Sequence, residues 1–255
     1  MIDVEGYLDR IGHQGGLEPT AETLRALHRA HLLAVPFENL DIHRGRWITL
    51  EVPALYRKVV GERRGGFCYE LNGLFAGLLR ALGYEVSLLE ARVHIGDGDR
   101  YGAPFDHLVL AVRCPGAAER WLADVGFGDS YLEPLRLVVG EEQVDATGAY
   151  RIDEGDGDLV LLRRAPGAAW RPEHRFVDYP HELASFAAMC RYHQTSPRSP
   201  FTQRSVCSLA TPTGRLTLRD TRLIVTDGER RSEHPIEDEA AWREALRTRF
   251  GVELA

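Results

Sequence analysis

The sequence lacks any long apolar segment: nowhere do roughly 18 apolar residues follow one another, the length that a membrane-spanning helix needs. The segment from Met1 to Asp9 carries three acidic residues and no apolar core, so it is not a signal peptide. Long basic runs are missing too, and 31 Lys+Arg stand against 38 Asp+Glu, which gives a net charge of −7. Nucleic-acid binding needs clustered cations. We therefore expect a soluble protein that binds neither a membrane nor a nucleic acid.

Cysteine is scarce, and the four cysteines form no recognisable framework. None belongs to a CxxC pair, and none shows the cysteine and histidine spacing of a zinc site. Without an export signal, they are expected to be reduced thiols in the cytoplasm, most of them buried as small hydrophobic side chains. The sequence therefore predicts neither a disulfide nor a structural metal.

Hydrophobic residues make up 44% of the 255 residues and charged residues 27%, a composition typical of folded globular proteins. The first part of the chain shows helical periodicity with breaks at proline and glycine. Helices are predicted between Pro19 and Val35, from Pro53 to Val60, and from about Cys68 to Gly83. We interpret residues 1–84 as a helical block.

From about Tyr84 the apolar pattern alternates, as it does in half-buried β-strands. Short strands separated by turn signals are predicted at 85–89, 107–113, 121–125, 135–139, 150–152 and 159–162, which suggests a compact barrel or sandwich. Beyond them, helices are predicted at 181–192 and 236–250, the latter capped by Gly251, and strands around 216–218 and 223–225. The sequence thus predicts an α+β protein with a helical block at 1–84, a β block at 85–180 and a mixed block at 181–255.

One cysteine stands in a context typical of a nucleophile. Cys68 follows two arginines and two glycines, Arg63 to Gly66, and opens the third predicted helix. At a helix start, unpaired backbone N–H groups and the macrodipole favour an anion, and the arginines add positive potential. These conditions lower the pKa of a thiol and make it reactive. The alternative is an inert buried cysteine, but the glycines and arginines favour a catalytic role.

A thiolate nucleophile needs a histidine base and a group that orients it. Four histidines lie in polar stretches and are interpreted as solvated surface residues: His13, His43, His174 and His234. His28 and His31 form a helical i, i+3 pair, but the sequence offers no third metal ligand beside them. His107 differs, because it begins an apolar strand, where a buried imidazole needs a polar partner.

Asp124 is the predicted partner of His107. If Pro115 and Gly116 form the turn between the two strands, opposed residues have numbers that sum to 231, so His107 faces Asp124. Such residues have Cβ atoms about 4.5–5.5 Å apart, close enough for a hydrogen bond. A longer loop would shift the register and leave Asp124 diagonal to His107. Cys68, His107 and Asp124 are therefore candidates for nucleophile, base and orienting acid.

Other patterns in the sequence carry no function. The segment Gly126 to Gly128 begins like a dinucleotide-binding loop but lacks the third glycine and a following helix. The acidic, glycine-containing segments 96–99 and 153–158 lack the spaced glutamate of a calcium loop, and we interpret them as turns.

Five motifs resemble those of the arylamine N-acetyltransferase family. The family pattern R-G-G-x-C-x-E-x-N is met from Arg64 to Asn72, and V-P-F-E-N-L from Val35 to Leu40. D-H-x-V-L lies around His107, D-V-G-F-G at Asp124 to Gly128, and S-P-x-S-x-F at Ser196 to Phe201. All five occur in the order that the family shows.

The resemblance implies a helical bundle, a β-barrel and an α/β lid, with a Cys-His-Asp site like that of cysteine proteases. It implies that Cys68, His107 and Asp124 form the catalytic triad of a ping-pong reaction. In that reaction the cysteine takes an acetyl group from acetyl-CoA and passes it to an arylamine or arylhydrazine. No metal takes part.

The resemblance also implicates Phe37, Phe127 and Phe201 in binding the aromatic acceptor, although ordinary core packing explains each of them equally well or better. Ala103 and Pro104, just before the histidine, are implicated in contacting CoA. Glu38 and Arg64 fall in two of the motifs and carry opposite charges. We expect these last two residues to form an ion pair that holds the turn before Cys68.

Three other functions fit part of the same sequence. Aromatic amide synthases of this family close macrolactams with the same triad. A cysteine hydrolase of the papain or transglutaminase type would use the triad with water or a peptide amine as acceptor. A non-enzymatic binding module would not need the Cys68 thiol. The motifs favour acetyl transfer, in xenobiotic metabolism or in biosynthesis, with macrolactam formation as the main alternative.

Overall fold

The N-terminal block is helical in the computed structural model, which describes residues 2–96, 98–165 and 167–254. Its elements are α1 (Val4–Ile11), α2 (Ala21–Ala34), a short strand β1 (Phe37–Glu38), α3 (Leu40–His43), α4 (Val52–Tyr56), a π-helical turn (Arg57–Gly61) and α5 (Cys68–Ala81). The three predicted helices are confirmed, and α1 and α3 are additional. α2 begins after Thr20, whose side chain accepts the backbone N–H of Thr23, and it ends before Pro36.

α5 is the central helix of this block. Leu71, Leu74, Phe75 and Leu78 are fully buried, and the helix packs against α4 and against the first two strands of the sheet that follows. Each such side chain stabilises the fold by about 1.5–3 kcal/mol. Because α5 is enclosed on several sides, the position of its first residue, Cys68, is well defined.

Residues 85–181 form an eight-stranded antiparallel sheet that curls into a nearly closed barrel. Its strands are β2 (Glu85–Val93), β3 (His107–Arg113), β4 (Arg120–Ala123), β5 (Leu135–Arg136), β6 (Gln143–Asp145), β7 (Gly148–Glu154), β8 (Leu159–Arg164) and β9 (Arg171–His181). Their order across the sheet is β5-β4-β3-β2-β9-β8-β7-β6. The Gln143 side chain bonds to both backbone groups of Arg136, at 2.6 and 2.9 Å, and so links the two edge strands.

Alternate residues of the barrel strands point into two different cores. On β3, Val109 and Ala111 face the barrel interior with residues such as Phe176. Leu108 and Leu110 belong instead to the core that contains α5. The barrel wall is therefore apolar on both faces where it meets the helical block.

The C-terminal block supplies most of a second antiparallel sheet. It contains a 3₁₀ helix (Leu183–Phe186), α6 (Ala187–Thr195), α7 (Pro200–Gln203), β10 (Val206–Thr211), β11 (Gly214–Arg219), β12 (Arg222–Asp227), β13 (Arg230–Pro235) and α8 (Glu239–Phe250). The sheet order is β1-β10-β11-β12-β13, so β1 of the helical block forms one edge. One face packs on α8 through residues such as Cys207, Leu218 and Leu246.

The predicted α+β class, with a helical N-terminus followed by a barrel, is confirmed. β9 is the main addition, because its prolines, Pro172 and Pro180, argue against a strand in the sequence. The helix predicted from His181 begins later, and as a 3₁₀ turn. The division into blocks at 84 and 180 stays a prediction, and β9 runs across the second boundary.

Two further predictions concern a turn and the end of the last helix. The turn predicted at 96–99 includes residue 97, which lies outside the described residues. Gly251 caps α8 as predicted, with a φ of 65°. Among the helices of the described chain, none combines the length and the apolar character needed to cross a bilayer.

Candidate active site

Cys68 is the first residue of α5, as the sequence predicts, and it is only 3% exposed. The Glu70 carboxylate accepts the backbone N–H of Phe67 at 3.1 Å and so fixes the start of the helix. The glycine at position 65 is needed for space rather than for an unusual φ, because a Cβ there would lie 1.9 Å from the carbonyl oxygen of Pro36. The segment that leads into β1 therefore passes directly against the turn before Cys68.

A buried ion cluster lies at this turn and consists of Glu38, Asp41, Lys58, Arg64 and Glu70. Arg64 Nη2 lies 2.8 Å from Glu38 Oε1 and 2.9 Å from Asp41 Oδ1. Lys58 Nζ lies 2.9 Å from Asp41 Oδ2 and 2.8 Å from Glu70 Oε1. Burial alone would lower the pKa of Lys58, but Glu70 and the other carboxylates raise it, so the ammonium stays charged. The predicted pair of Arg64 and Glu38 is confirmed.

The two arginines before Cys68 do not act on its thiol as the sequence suggests. Arg64 is taken up by the ion cluster, and Arg63 is exposed. Burial raises the pKa of the Cys68 thiol, and the carboxylates of Asp106 and Asp124 raise it further. An isolated thiolate is therefore unfavourable here, and its formation requires a cation beside it.

His107 and Asp124 form a buried hydrogen-bonded pair at one end of the barrel. His107 Nε2 lies 2.7 Å from Asp124 Oδ2, and the two residues are 2% and 1% exposed. The register that sums to 231 is wrong, because β3 pairs with β4 as Leu110 with Ala123. The loop at 114–119 is longer than a two-residue turn. Asp124 consequently follows β4 and lies diagonal to His107, which is the second register considered above.

Two further side chains hold Asp124 in place. Asn72, one helical turn after Cys68, donates to Asp124 Oδ1 at 2.8 Å and to the Leu108 carbonyl at 2.6 Å. His28 Nε2 accepts the backbone N–H of Asp124 at 3.1 Å. The i, i+4 spacing of Asn72 from Cys68 is a signal that could have indicated its role. His28 offers no such signal, because its partner lies 96 residues away in the chain.

Asp124 is held as an anion. Burial alone would raise the pKa of Asp124, but His107, assisted by Asn72, lowers it below the usual range. The carboxylate also accepts the backbone N–H of Gly126 at 2.9 Å. These partners hold the Asp124 carboxylate in one position beside the His107 ring.

His174 lies beside this pair, so its interpretation as a solvated surface residue is wrong. It is fully buried on β9, and its ring centroid lies 5.5 Å from that of His107. Strand alternation places it on the same face as Phe176, which belongs to the barrel core. Burial, and then His107, lowers the pKa of His174 to about 3, so the ring is neutral.

His107, Asp124 and His174 also offer metal-ligand atoms that all lie within 4.8 Å of one another. Imidazole nitrogen and carboxylate oxygen are ligands that zinc accepts. In this arrangement, however, Nε2 of His107 is hydrogen-bonded to Asp124. The prediction that no metal takes part stays a prediction.

A cavity of about 1040 Å³ reaches both Cys68 and His107. The three predicted acceptor-binding residues, Phe37, Phe127 and Phe201, all line it. The rings of Phe37 and Phe201 have centroids 6.1 Å apart, and the ring of Phe127 stands edge-on to His107 at 5.3 Å. The structure thus surrounds the thiol and the imidazole with aromatic surface.

The wall of the cavity before His107 carries one of the two predicted CoA-contacting residues. Ala103 is exposed and lines the cavity, whereas Pro104 is exposed and lies outside the lining. Asp106 and His193 line it as well, with His193 Nε2 3.3 Å from Asp106 Oδ1. The cavity lining therefore combines polar side chains with the aromatic ones.

Comparison with known proteins matches this arrangement to one family. A sequence model described as N-acetyltransferase matches residues 20–255. The arylamine N-acetyltransferase of Mycolicibacterium smegmatis is 36% identical over 256 residues, which cover 99% of this chain and 93% of that protein. The chain belongs to the arylamine N-acetyltransferase family. It is accordingly an acyltransferase.

Structures of family members share the whole fold. The arylamine N-acetyltransferase of Mycobacterium marinum superposes with a TM-score of 0.92 at 35% identity, covering 98% of this chain and 93% of the other. A second structure of that enzyme is a complex with CoA and has a TM-score of 0.91. Among relatives known by sequence, a pineal gland isozyme of arylamine N-acetyltransferase from Gallus gallus is 36% identical over 84% of this chain and 79% of its own length.

Proposed function

We propose that this acyltransferase moves an acetyl group from acetyl-CoA to an arylamine or arylhydrazine through an acetyl-Cys68 thioester. The single observation that carries the proposal is the buried bond of 2.7 Å between His107 and Asp124 on the cavity that also reaches Cys68. Family membership supports the donor and the acceptor, since relatives are arylamine N-acetyltransferases and one solved structure is a complex with CoA.

In the first half-reaction, the Cys68 thiol gives its proton to His107. Nε2 is bonded to Asp124, so Nδ1 is the ring nitrogen left to receive the proton. The thiolate and the imidazolium form together as an ion pair, which offsets the burial that raises the pKa of the isolated thiol. The thiolate then attacks the thioester carbonyl. A new C–S bond to Cys68 forms, the bond to CoA breaks, and the CoA thiolate takes the proton from His107.

In the second half-reaction, the aromatic amine attacks the acetyl-Cys68 carbonyl. The N–C bond forms, the C–S bond to Cys68 breaks, and His107 transfers the proton from the amine nitrogen to the leaving thiolate. Acetyl transfer from one thiol to another changes the free energy little. The amide formed with the amine is more stable than a thioester, so the second half-reaction makes the overall transfer favourable. Phe37, Phe127 and Phe201 offer the acceptor ring edge and face contacts in the cavity.

The four cysteines are free thiols, and the proposed chemistry requires Cys68 to remain reduced. A reducing compartment such as the cytoplasm suits that requirement. The acceptor could be a foreign aromatic amine or an aromatic amine made in biosynthesis, because the cavity would accommodate either.

Intact-mass measurement after mixing with acetyl-CoA, without an amine, tests the proposal. We expect one acetyl group per chain, located on Cys68 by peptide mapping and released when an arylamine is added. Iodoacetamide should alkylate Cys68 before the other cysteines. Cys190→Ser is the matched control, since this other buried thiol lies outside the cavity lining, and it should retain the adduct, whereas Cys68→Ser should lose it. An adduct on Cys114, Cys190 or Cys207, or no adduct, would end the proposal.

An acceptor screen then separates this function from its alternatives. Transfer to small arylamines supports acetyltransfer, whereas selective closure of an aromatic macrolactam would identify an amide synthase. Hydrolysis of peptides would identify a cysteine hydrolase.

A further inference from the structure

Three arginines without side-chain partners among the described residues line the cavity that reaches Cys68. The guanidinium groups of Arg198, Arg204 and Arg219 are exposed to the cavity and make no hydrogen bond or ion pair with any residue that the structure describes. A fourth arginine on the same wall, Arg215, is instead bonded to Ser208 at 3.2 Å and lies 3.5 Å from Asp129. This concentration of cations stands in a chain whose net charge is −7.

The register of the second sheet explains why this wall is polar. Val206 pairs with Arg219 and Ser208 pairs with Thr217, so these residues alternate onto one face of β10 and β11. All four line the cavity. The opposite face carries the apolar residues that pack on α8. The polar face therefore borders the cavity, where the exposed Arg219 can contact a ligand.

Strand spacing measures how far this wall lies from the nucleophile. Gly66, two residues before Cys68, bridges to Phe37; Phe37 pairs with Ser208, and Ser208 pairs with Thr217. Three such steps between neighbouring strands amount to about 14 Å along the sheet from Gly66 to Thr217. A single aromatic ring with one acidic substituent is too short to join the thiol to this wall. A ligand that reaches both needs a long arm between its reacting group and its negative charge.

Acetyl-CoA, the donor in the proposed function on which this inference rests, has that construction. Its thioester lies at one end of the pantetheine arm, and its diphosphate and 3′-phosphate lie at the other. Guanidinium groups bind phosphate oxygens in pairs and keep their charge at every relevant pH. We propose that Arg204 and Arg219, assisted by Arg198, bind the phosphate groups of the donor while its thioester reaches Cys68. The same charges attract an anionic donor to a negatively charged protein.

Two donors that differ only in phosphate test this proposal. The rate of Cys68 acetylation is measured with acetyl-CoA and with S-acetyl-pantetheine, which carries the same thioester and no phosphate. In an Arg204→Gln/Arg219→Gln variant, we expect KM for acetyl-CoA to rise about tenfold or more. The preference for acetyl-CoA over acetyl-pantetheine should fall by the same factor. Added salt should slow acetylation by acetyl-CoA in the parent and do so less in the variant.

Arg191→Gln is the matched control, because Arg191 is an exposed arginine on α6 outside the cavity lining. It should retain the parent preference for acetyl-CoA. Equal losses with both donors, or an unchanged preference, would overturn the assignment.

A second pair of substrates distinguishes the other source of negative charge. If the arginines bind a carboxylate on the acceptor instead, the variant would lose its preference for 4-aminobenzoate over 4-aminobenzamide and keep its donor preference. That result would also overturn the proposal. Failure of the parent protein to form any acetyl-Cys68 would instead contradict the proposed function, so the two failures are distinguishable.

Discussion

Asp124 connects the parts of the site through one buried side chain. Its carboxylate contacts His107, Asn72 and the backbone N–H of Gly126, and its own backbone N–H bonds to His28. These contacts come from α2, from α5 and from the barrel. The position of Asp124 therefore depends on all three. Loss of its charge should affect chemistry more than shape.

Asp124→Asn should greatly slow acetylation while leaving the protein folded. The amide retains most of the shape but no longer stabilises an imidazolium, so the Cys68 and His107 ion pair becomes harder to form. We expect a loss of about 10²–10⁴-fold in acetylation rate. The pH midpoint of Cys68 alkylation by iodoacetamide should rise, which is followed from about pH 4 to pH 9 in both proteins.

Asp178→Asn is the control for this change, since Asp178 is an exposed partner of Arg120. Its alkylation midpoint should match that of the parent. An unchanged midpoint in Asp124→Asn would contradict the assignment of Asp124 as the residue that orients His107.

Residue context in the sequence indicates His107 and Asp124 but misinterprets His174. An imidazole or a carboxylate among apolar residues stands out, because burying either group alone is costly. His174 lies between Glu173 and Arg175, so its neighbours give the impression of a solvated segment. Only the pairing of β9 within the barrel shows that this face is turned inward.

At the scale of elements, the ion cluster joins β1, α3, the π-helical turn and α5. Glu38, Asp41, Lys58, Arg64 and Glu70 are each at most 5% exposed, so each charge depends on the others for compensation. The cluster holds three carboxylates and two cations, so removing a cation leaves a buried carboxylate uncompensated, which destabilises far more than the loss of an exposed pair does.

A double-mutant cycle on Glu38→Gln and Arg64→Gln measures this dependence. Arg64→Gln should lower the free energy of unfolding by about 3–5 kcal/mol, because Glu38 is left buried without its cationic partner. Glu38→Gln should cost less, because Arg64 Nη2 keeps Asp41 Oδ1 at 2.9 Å. The double variant should lose much less than the sum, and chemical denaturation gives all four values. The exposed pair of Glu239 and Arg243 is the control, with an expected coupling of about 0–1 kcal/mol. Additive losses at Glu38 and Arg64 would show that the pair is not coupled.

The loop after β4 meets the start of α5 at Gly126. A Cβ at this position would lie 2.8 Å from Cys68 Cα and 2.9 Å from the Asn72 amide nitrogen. Gly126→Ala should therefore push the helix start away from Asp124 and slow acetylation more than tenfold, measured as the rate of Cys68 acetylation.

Gly77→Ala, also on α5, serves as the comparison. Its Cβ would make only ordinary contacts, 3.5 Å from Ile2 and 3.6 Å from Val52. Alanine favours a helix over glycine by up to about 1 kcal/mol, so activity should persist and stability should not fall. Equal activity in the two variants would contradict the close approach at Gly126.

Elements whose apolar residues repeat at a clear period can be predicted from the sequence. Elements that form only because they pair with a distant strand cannot. α5 and β3 are readable because their apolar residues repeat at helical and strand spacing over many residues. β1 has two residues and therefore no period, yet it places Phe37 in the cavity by pairing with β10. Its existence depends on a strand about 170 residues away in the chain, which a local pattern cannot indicate.

At the scale of the whole molecule, the cavity is built from all three blocks. Cys68 comes from the helical block, His107 and Phe127 from the barrel, and Phe201 from the C-terminal block. The barrel also contains a buried acidic group whose ionisation affects the stability of the whole protein. Glu173, on β9, is such a group, since burial raises the pKa of Glu173 to about 7, against the attraction of Arg163.

Stability should fall as pH rises through the range in which Glu173 ionises. The unfolded chain loses this proton near its ordinary pKa of about 4.3, whereas the folded protein keeps it up to about pH 7. Between these values the folded state binds more protons, so increasing pH favours unfolding, by about 4 kcal/mol at most. Glu173→Gln removes this effect. The variant's Tm should exceed that of the parent increasingly from about pH 5 to pH 8, and a constant difference would contradict the prediction.

The burial of Lys58 has a chemical consequence for the acetyl-Cys68 thioester that we propose. Lys58 is the only lysine among 255 residues, and it lies inside the ion cluster. The other cationic side chains, histidines aside, are arginines, whose guanidinium groups stay protonated and do not act as nucleophiles. The protein surface therefore offers no lysine amine that could intercept the acetyl group from a neighbouring molecule. Even at high protein concentration, the proposed thioester would not lose its acetyl group to a surface lysine of another copy of this chain.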